Sequence, residues 1–121
     1  MDTAYDGQLW VEPVGDLIIA RVRGLPTESL LVECHSRVIQ LIKDAAGAKV
    51  LYDALEIQSP PVDVPLLQQK LDASVAHLKI KRAIVVPNTK LAYLARLAFG
   101  DGDHRVFYND MAAAVRWLSA D

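Results

Sequence analysis

The last third of the chain constrains the fold most. It contains KIKRAIVVPN (79–88) and HRVFYNDMAAAVRWL (104–118), two buried-strand patterns that each lead into a helix. The run from Arg82 to Val86 is apolar throughout after its arginine, the pattern of a strand covered on both faces, as in parallel sheets. Pro87 ends it, and Asn88 is placed to cap a helix whose Leu91, Leu94, Ala95 and Ala98 share one side. His104 to Phe107 repeats the strand pattern. Asn109 is then expected to cap a final helix in which Met111, Val115 and Leu118 face inward and Trp117 covers the edge.

The elements before these extend the alternation. Gln8 to Glu12 and Leu17 to Arg23 read as strands joined through Pro13-Val14-Gly15-Asp16, a turn sequence, and so as an antiparallel hairpin. On the second strand Ile18, Ala20 and Val22 share one face, and Leu17, Ile19, Arg21 and Arg23 the other. Gly24-Leu25-Pro26 breaks the strand. Thr27 caps a long helix with Leu31, Cys34, Val38, Leu41 and Ala45 at steps of three and four, ended by Gly47. Lys49 to Asp53 is the third strand. After a loop with Ser59-Pro60-Pro61, Asp63 caps a helix that tolerates Pro65 in its first turn and carries a Leu67, Leu71, Val75, Leu78 stripe. Gly100-Asp101-Gly102-Asp103 reads as a turn. The predicted fold is α/β: one domain over residues 1–121, in β-β-α-β-α-β-α-β-α order, with a mainly parallel sheet of about five strands and right-handed crossovers.

Composition excludes several classes. A chain of 121 residues is one ordinary domain, and 52% hydrophobic against 23% charged is globular. A net charge of −2 gives no global attraction to nucleic acid. Lys79, Lys81 and Arg82 form the one concentrated basic stretch, read as a solvated loop leading into a strand. One cysteine, Cys34, allows no internal disulfide and suits a reducing compartment. The opening MDTAYDGQ lacks the pattern of a signal peptide, and no apolar run approaches the ~20 residues of a membrane span. The expectation is a cytoplasmic protein with no integral membrane association.

The element order, together with KIKRAIVVP and with HRVFYNDMAAAVRWL ending in Trp-Leu, resembles the STAS-like (SpoIIAA-like) domains related to bacterial anti-sigma-factor antagonists. The likeness is greatest to the divergent stand-alone branch grouped with the SEC14-type lipid-binding fold. The order matches from about Gln8 to Leu118, the residue pattern only over the last third. The resemblance implies strands progressing in one direction with helices mostly on one face. The opposite face would then be left to the first strand, to loops or to a partner, and an uncovered apolar face favours a homodimer. Phospho-switched antagonists carry Asp-Ser-Ser/Thr-Gly after the third strand. This chain reads DALEIQSPPVD there, with Ser59 near the expected place but without the neighbouring aspartate and glycine, which argues against the usual kinase switch.

The residues offer little enzymatic machinery. Cys34 and His35 are adjacent on a helix, so their side chains point about 100° apart and do not face each other. Cys34 reads as a small buried hydrophobe, and His35 and His77 as solvent-facing. No histidine has a second ligand at metal spacing, and no GxGxxG, P-loop or GxSxG occurs. No cofactor, metal or catalytic residue is assigned. In an open α/β sheet ligands bind beyond the carboxyl ends of the strands, which selects Asp53, Ser59, Asn88 and Thr89 as ligand- or partner-binding candidates. Tyr93, Leu97 and Phe99 could line an apolar cleft or a dimer contact. The expected function is a non-enzymatic module that binds a protein partner or a small apolar, anionic or lipid-like ligand. The alternatives are a ligand-free homodimerisation module and a small enzyme with an unrecognised site.

Overall fold

The computed structural model describes residues 8–42, 48–99 and 103–120. The expected helix stop at Gly47 and most of the 100–103 turn lie outside them, as does Ala45. The elements are β1 (Gln8–Val14), β2 (Leu17–Gly24), α1 (Glu28–Ile42), β3 (Lys49–Ile57), α2 (Asp63–Ala73), a 3-10 turn (Ala76–Leu78), β4 (Lys81–Val86), α3 (Thr89–Phe99), β5 (His104–Tyr108) and α4 (Met111–Ser119). This is the predicted order. The five strands lie side by side in chain sequence, β1-β2-β3-β4-β5. β1 and β2 are antiparallel, and the other pairs are parallel.

Local chemistry accounts for most boundaries. β1 runs on through Pro13 and Val14, two residues past the expected end, because it is an edge strand, where a missing N–H breaks no ladder. The hairpin then closes over Gly15-Asp16, with Gly15 at φ +59, a value glycine adopts without strain. Thr27 Oγ1 accepts the Leu30 N–H at 3.1 Å, and Asn88 Oδ1 accepts the Leu91 N–H at 2.9 Å, so these two predicted caps form. The expected Asp63 cap does not, since Asp63 is the first residue of α2 and Val62 before it makes no side-chain cap bond. The cap of α4 falls one residue later than expected. Asp110 accepts the Ala113 N–H at 2.9 Å, while Asn109 adopts a left-handed φ of +51 and its amide donates to the Pro87 carbonyl. Asparagine tolerates that region better than most residues, so Asn109 serves as the pivot of the turn.

That pivot sends α4 to the other side of the sheet. α1 and α3 cover one face, with Ile18, Ala20, Val50, Ile84 and Val86 beneath them. On the opposite face Ala114 and Leu118 of α4 pack fully buried against Leu51, Ala83 and Val85. Three helices on one face agree with the expectation. The second face, however, is covered over β3–β5 by the chain itself, which confines the dimerisation argument to β1–β2. Ala114, not Val115, faces inward; Val115 is exposed.

Two helical stripes are rotated from expectation. α1 buries Leu30, Cys34, Val38 and Ile42, with Leu31 and Leu41 at the flanks. α2 ends at Ala73 and buries Val64, Pro65, Gln68 and Asp72, while Leu67 and Leu71 are only half-buried and Leu66 is exposed. α2 packs on α3 and α1 more than on the sheet. A helix held by its neighbours, with polar residues turned inward, stands off the strands below it.

Candidate functional site

The space under α2 is an apolar cavity of about 120 Å3. Its floor is the middle and carboxyl half of β2, β3 and β4, through Ala20, Tyr52, Ile84 and Val86. Its walls come from the first half of α1 (Leu30, Cys34), α2 (Val64, Gln68) and α3 (Leu91, Leu94). Strand order is strictly sequential, so the sheet has no reversal point to open a crevice. The opening arises from α2.

Few polar groups reach this space. Burial pushes the Cys34 thiol up to about 12, so it is a neutral, unreactive wall group. Burial likewise raises the Tyr52 phenol, which packs tilted against Phe99 at 5.1 Å between centroids. Gln68 is only 8% exposed, yet its amide makes no hydrogen bond to any described residue. No fully enclosed polar side-chain atom among the described residues lacks a partner. The amide therefore keeps contact with open space, and Gln68 is one of the residues that line the cavity.

The next inward position of α2 is Asp72, whose carboxylate is hydrogen-bonded and ion-paired to the Arg82 guanidinium. Arg82 is 4% exposed, lies over the Phe99 ring, and donates to the Ile80 carbonyl. The reading of 79–82 as a solvated basic loop is thus corrected. Arg82 is a core ion-pair partner, and Lys81 donates to the Trp117 and Ala120 carbonyls at 2.8 and 2.9 Å, at the negative end of α4. Burial pushes the Asp72 carboxyl above its usual value, and Arg82 limits the rise. His35 is half-buried near this pair, not solvent-facing, and burial lowers its pKa.

The sequence candidates fall around the same end of the sheet without converging. β3 continues four residues past Asp53, over a bulge. Asp53 borders the cavity, but its carboxylate accepts the Leu55 N–H at 3.2 Å and lies 3.7 Å from Arg21, on the Trp10 side of the sheet. Ser59 is exposed beside Pro60, which does line the cavity. Asn88 and Thr89 are exposed, and the Asn88 side chain is occupied as the α3 cap. Tyr93 is 63% exposed, whereas Phe99 lines the cavity wall. Sequence reasoning missed Gln68 and the Asp72–Arg82 pair. The available signal was the spacing Val64, Gln68, Asp72, one helical face that includes two polar residues.

Among the described residues, no group of three or more His, Cys, Asp or Glu side chains is placed to hold a metal ion, and no helix is long and apolar enough to cross a membrane. No family model and no curated protein matches the chain. Among solved structures it is similar to an uncharacterised protein of the DUF3478 family with a SpoIIAA-like fold, from Shewanella loihica PV-4. The two share 21% identity over 98% of each chain, with a TM-score of 0.59. The chain has a SpoIIAA-like fold, as the order of its strands and helices implied.

Proposed function

We propose that the protein is a non-enzymatic binding module that holds a small apolar ligand between α2 and the carboxyl half of its sheet. The observation that supports this is the cavity itself, about 120 Å3 and lined almost wholly by apolar side chains. An engineered cavity of about 150 Å3 with such a lining stays dry and takes up benzene, so the enclosed part suits one ring or a short alkyl segment. The loops with Ser59 and with Asn88-Thr89, and Asp53 at the border, frame the same end of the sheet and would contact whatever part of the ligand projects. A native mass spectrum of the protein from its own cells tests this. The expected result is an added mass that is lost on denaturation and absent from Ala95→Leu, which narrows the cavity wall. A bare mass for the native-source protein, with no small molecule captured from a total cell extract, would overturn it.

A second reading, self-association, is favoured by the uncovered part of the opposite face. Trp10 and Val14 are 45% and 47% exposed there. Arg21 and Arg23 flank the Trp10 ring at 5.7 Å, and Glu12 and Glu56 share the face. A patch with both charge signs around an aromatic suits a two-fold contact, which must be complementary to itself. Sedimentation equilibrium should give a dimer that Trp10→Glu converts to monomer. A monomeric wild-type protein at high micromolar concentration would dismiss it.

A further inference from the structure

The geometry points to a ligand that is a neutral amphiphile, with an apolar body in the cavity and an uncharged hydrogen-bonding group, such as a hydroxyl, carbonyl or amide, held by Gln68. This rests on the cavity being a binding site and adds the chemical class of what it binds. Gln68 is more than nine-tenths buried, lines the cavity and has no partner within the described protein. Its amide atoms are not fully enclosed, so they are satisfied from the adjoining space, by water or by a polar group of a ligand. Its neighbour on the same face shows the alternative solved internally, since Asp72 takes Arg82. Among the described residues no lysine, arginine or histidine lines the cavity, and the nearby Arg82, over the Phe99 ring, is already paired with Asp72. The charged residue of the lining, Asp53, has its carboxylate engaged with Leu55 and Arg21. Cys34 and Tyr52 are held in their neutral forms by burial. A charged group entering the cavity would lose its hydration without compensation. A primary amide both donates and accepts, so it can hold a neutral polar group of either kind.

The test is a binding cycle with two probes of nearly equal size, toluene and benzyl alcohol, titrated into the full chain and into Gln68→Leu and followed by methyl and side-chain amide resonances. Toluene, the more apolar probe, sets the reference for the cavity. The expected result is that the ratio of benzyl alcohol Kd to toluene Kd is about threefold to tenfold smaller in the wild type than in Gln68→Leu, the range one net hydrogen bond supplies. The Gln68 amide resonances should shift with benzyl alcohol and stay near their free positions with toluene. If both probes bind with the same Kd ratio in the two proteins, the assignment to Gln68 is overturned while the cavity reading stands. If neither binds the wild type, the cavity reading fails first and this inference with it. Gln68→Met, unbranched and close in length, should repeat the leucine result if Gln68→Leu does not fold.

Discussion

Removing one side of the Asp72–Arg82 pair should have unequal effects on the two residues. The two side chains are 12% and 5% exposed. Breaking a buried pair from one side costs about 3–5 kcal/mol, because the remaining charge stays desolvated. In Asp72→Ala the remaining charge is a guanidinium, which does not lose its proton in proteins. The full cost should therefore appear, with no relief from pH. In Arg82→Met the remaining group is a carboxyl, which can take up a proton. At pH 7 that neutralisation caps the charge penalty at about 4 kcal/mol, since an ordinary carboxyl lies about three pH units lower and each unit is worth about 1.4 kcal/mol. The sign follows from linkage. In Arg82→Met the folded-state carboxyl is raised above its unfolded value, so the folded protein binds the extra proton and regains stability as pH falls. Between pH 7 and 5 the penalty should shrink by about 2–3 kcal/mol, leaving the lost packing on Phe99. The double change Asp72→Leu with Arg82→Met should be close to wild type. Urea unfolding at pH 5 and 7 reads these effects as midpoint shifts of about 2 M for 4 kcal/mol at a slope near 2 kcal/mol/M. A cost for Asp72→Ala below about 1 kcal/mol, or an Arg82→Met cost that does not change with pH, would refute the account of this pair.

Other expectations follow from single contacts. Cys34, with its thiol pushed up to about 12, should react with a thiol reagent at pH 8 only at the rate set by unfolding; labelling at the rate of a free thiol would show that the α1–sheet contact is open. His35 has its pKa lowered from 6.5, chiefly by burial. The unfolded chain therefore takes up its proton first, stability declines as pH falls below 6.5, and that share of the slope should vanish in His35→Gln; an unchanged slope between pH 6.5 and 5 would contradict this. Asn88→Ala and Asp110→Ala should each lower stability by about 1 kcal/mol in chemical unfolding, and Asn109→Ala should too, through its left-handed φ; a neutral Asp110→Ala would return the cap of α4 to Asn109.

The fold was largely legible because strands and caps are written locally. The apolar runs at 82–86 and 104–107, the Thr27 and Asn88 caps and the hairpin at 13–16 each depend on a few neighbouring residues. Their order implied a mainly parallel sheet, and the family resemblance implied that its strands progress in one direction. The side on which α4 packs was less legible, because it turns on the left-handed conformation of Asn109 and not on the helix's own amphipathicity. The face of α2 was not legible from hydrophobic spacing. Its leucines give a credible stripe, but tertiary packing selects Val64, Gln68 and Asp72, since Asp72 meets an arginine from β4 that the sequence presents as part of a basic loop. The cavity follows from that rotation, so a search for residues after strand ends reached Asp53 at its border, chose Ser59, Asn88 and Thr89 outside its lining, and missed Gln68 on its wall.

The claim that the space under α2 is a binding site is tested most directly by mapping where a small apolar probe settles. Toluene should produce saturable methyl shifts at Leu30, Val64, Ile84, Leu91 and Leu94, which line the cavity, while Leu17, Leu51 and Leu118 on the α4 side stay unmoved. Ala95→Leu should abolish the shifts. Non-saturating shifts spread over both faces, or none up to the solubility limit of toluene, would contradict the account.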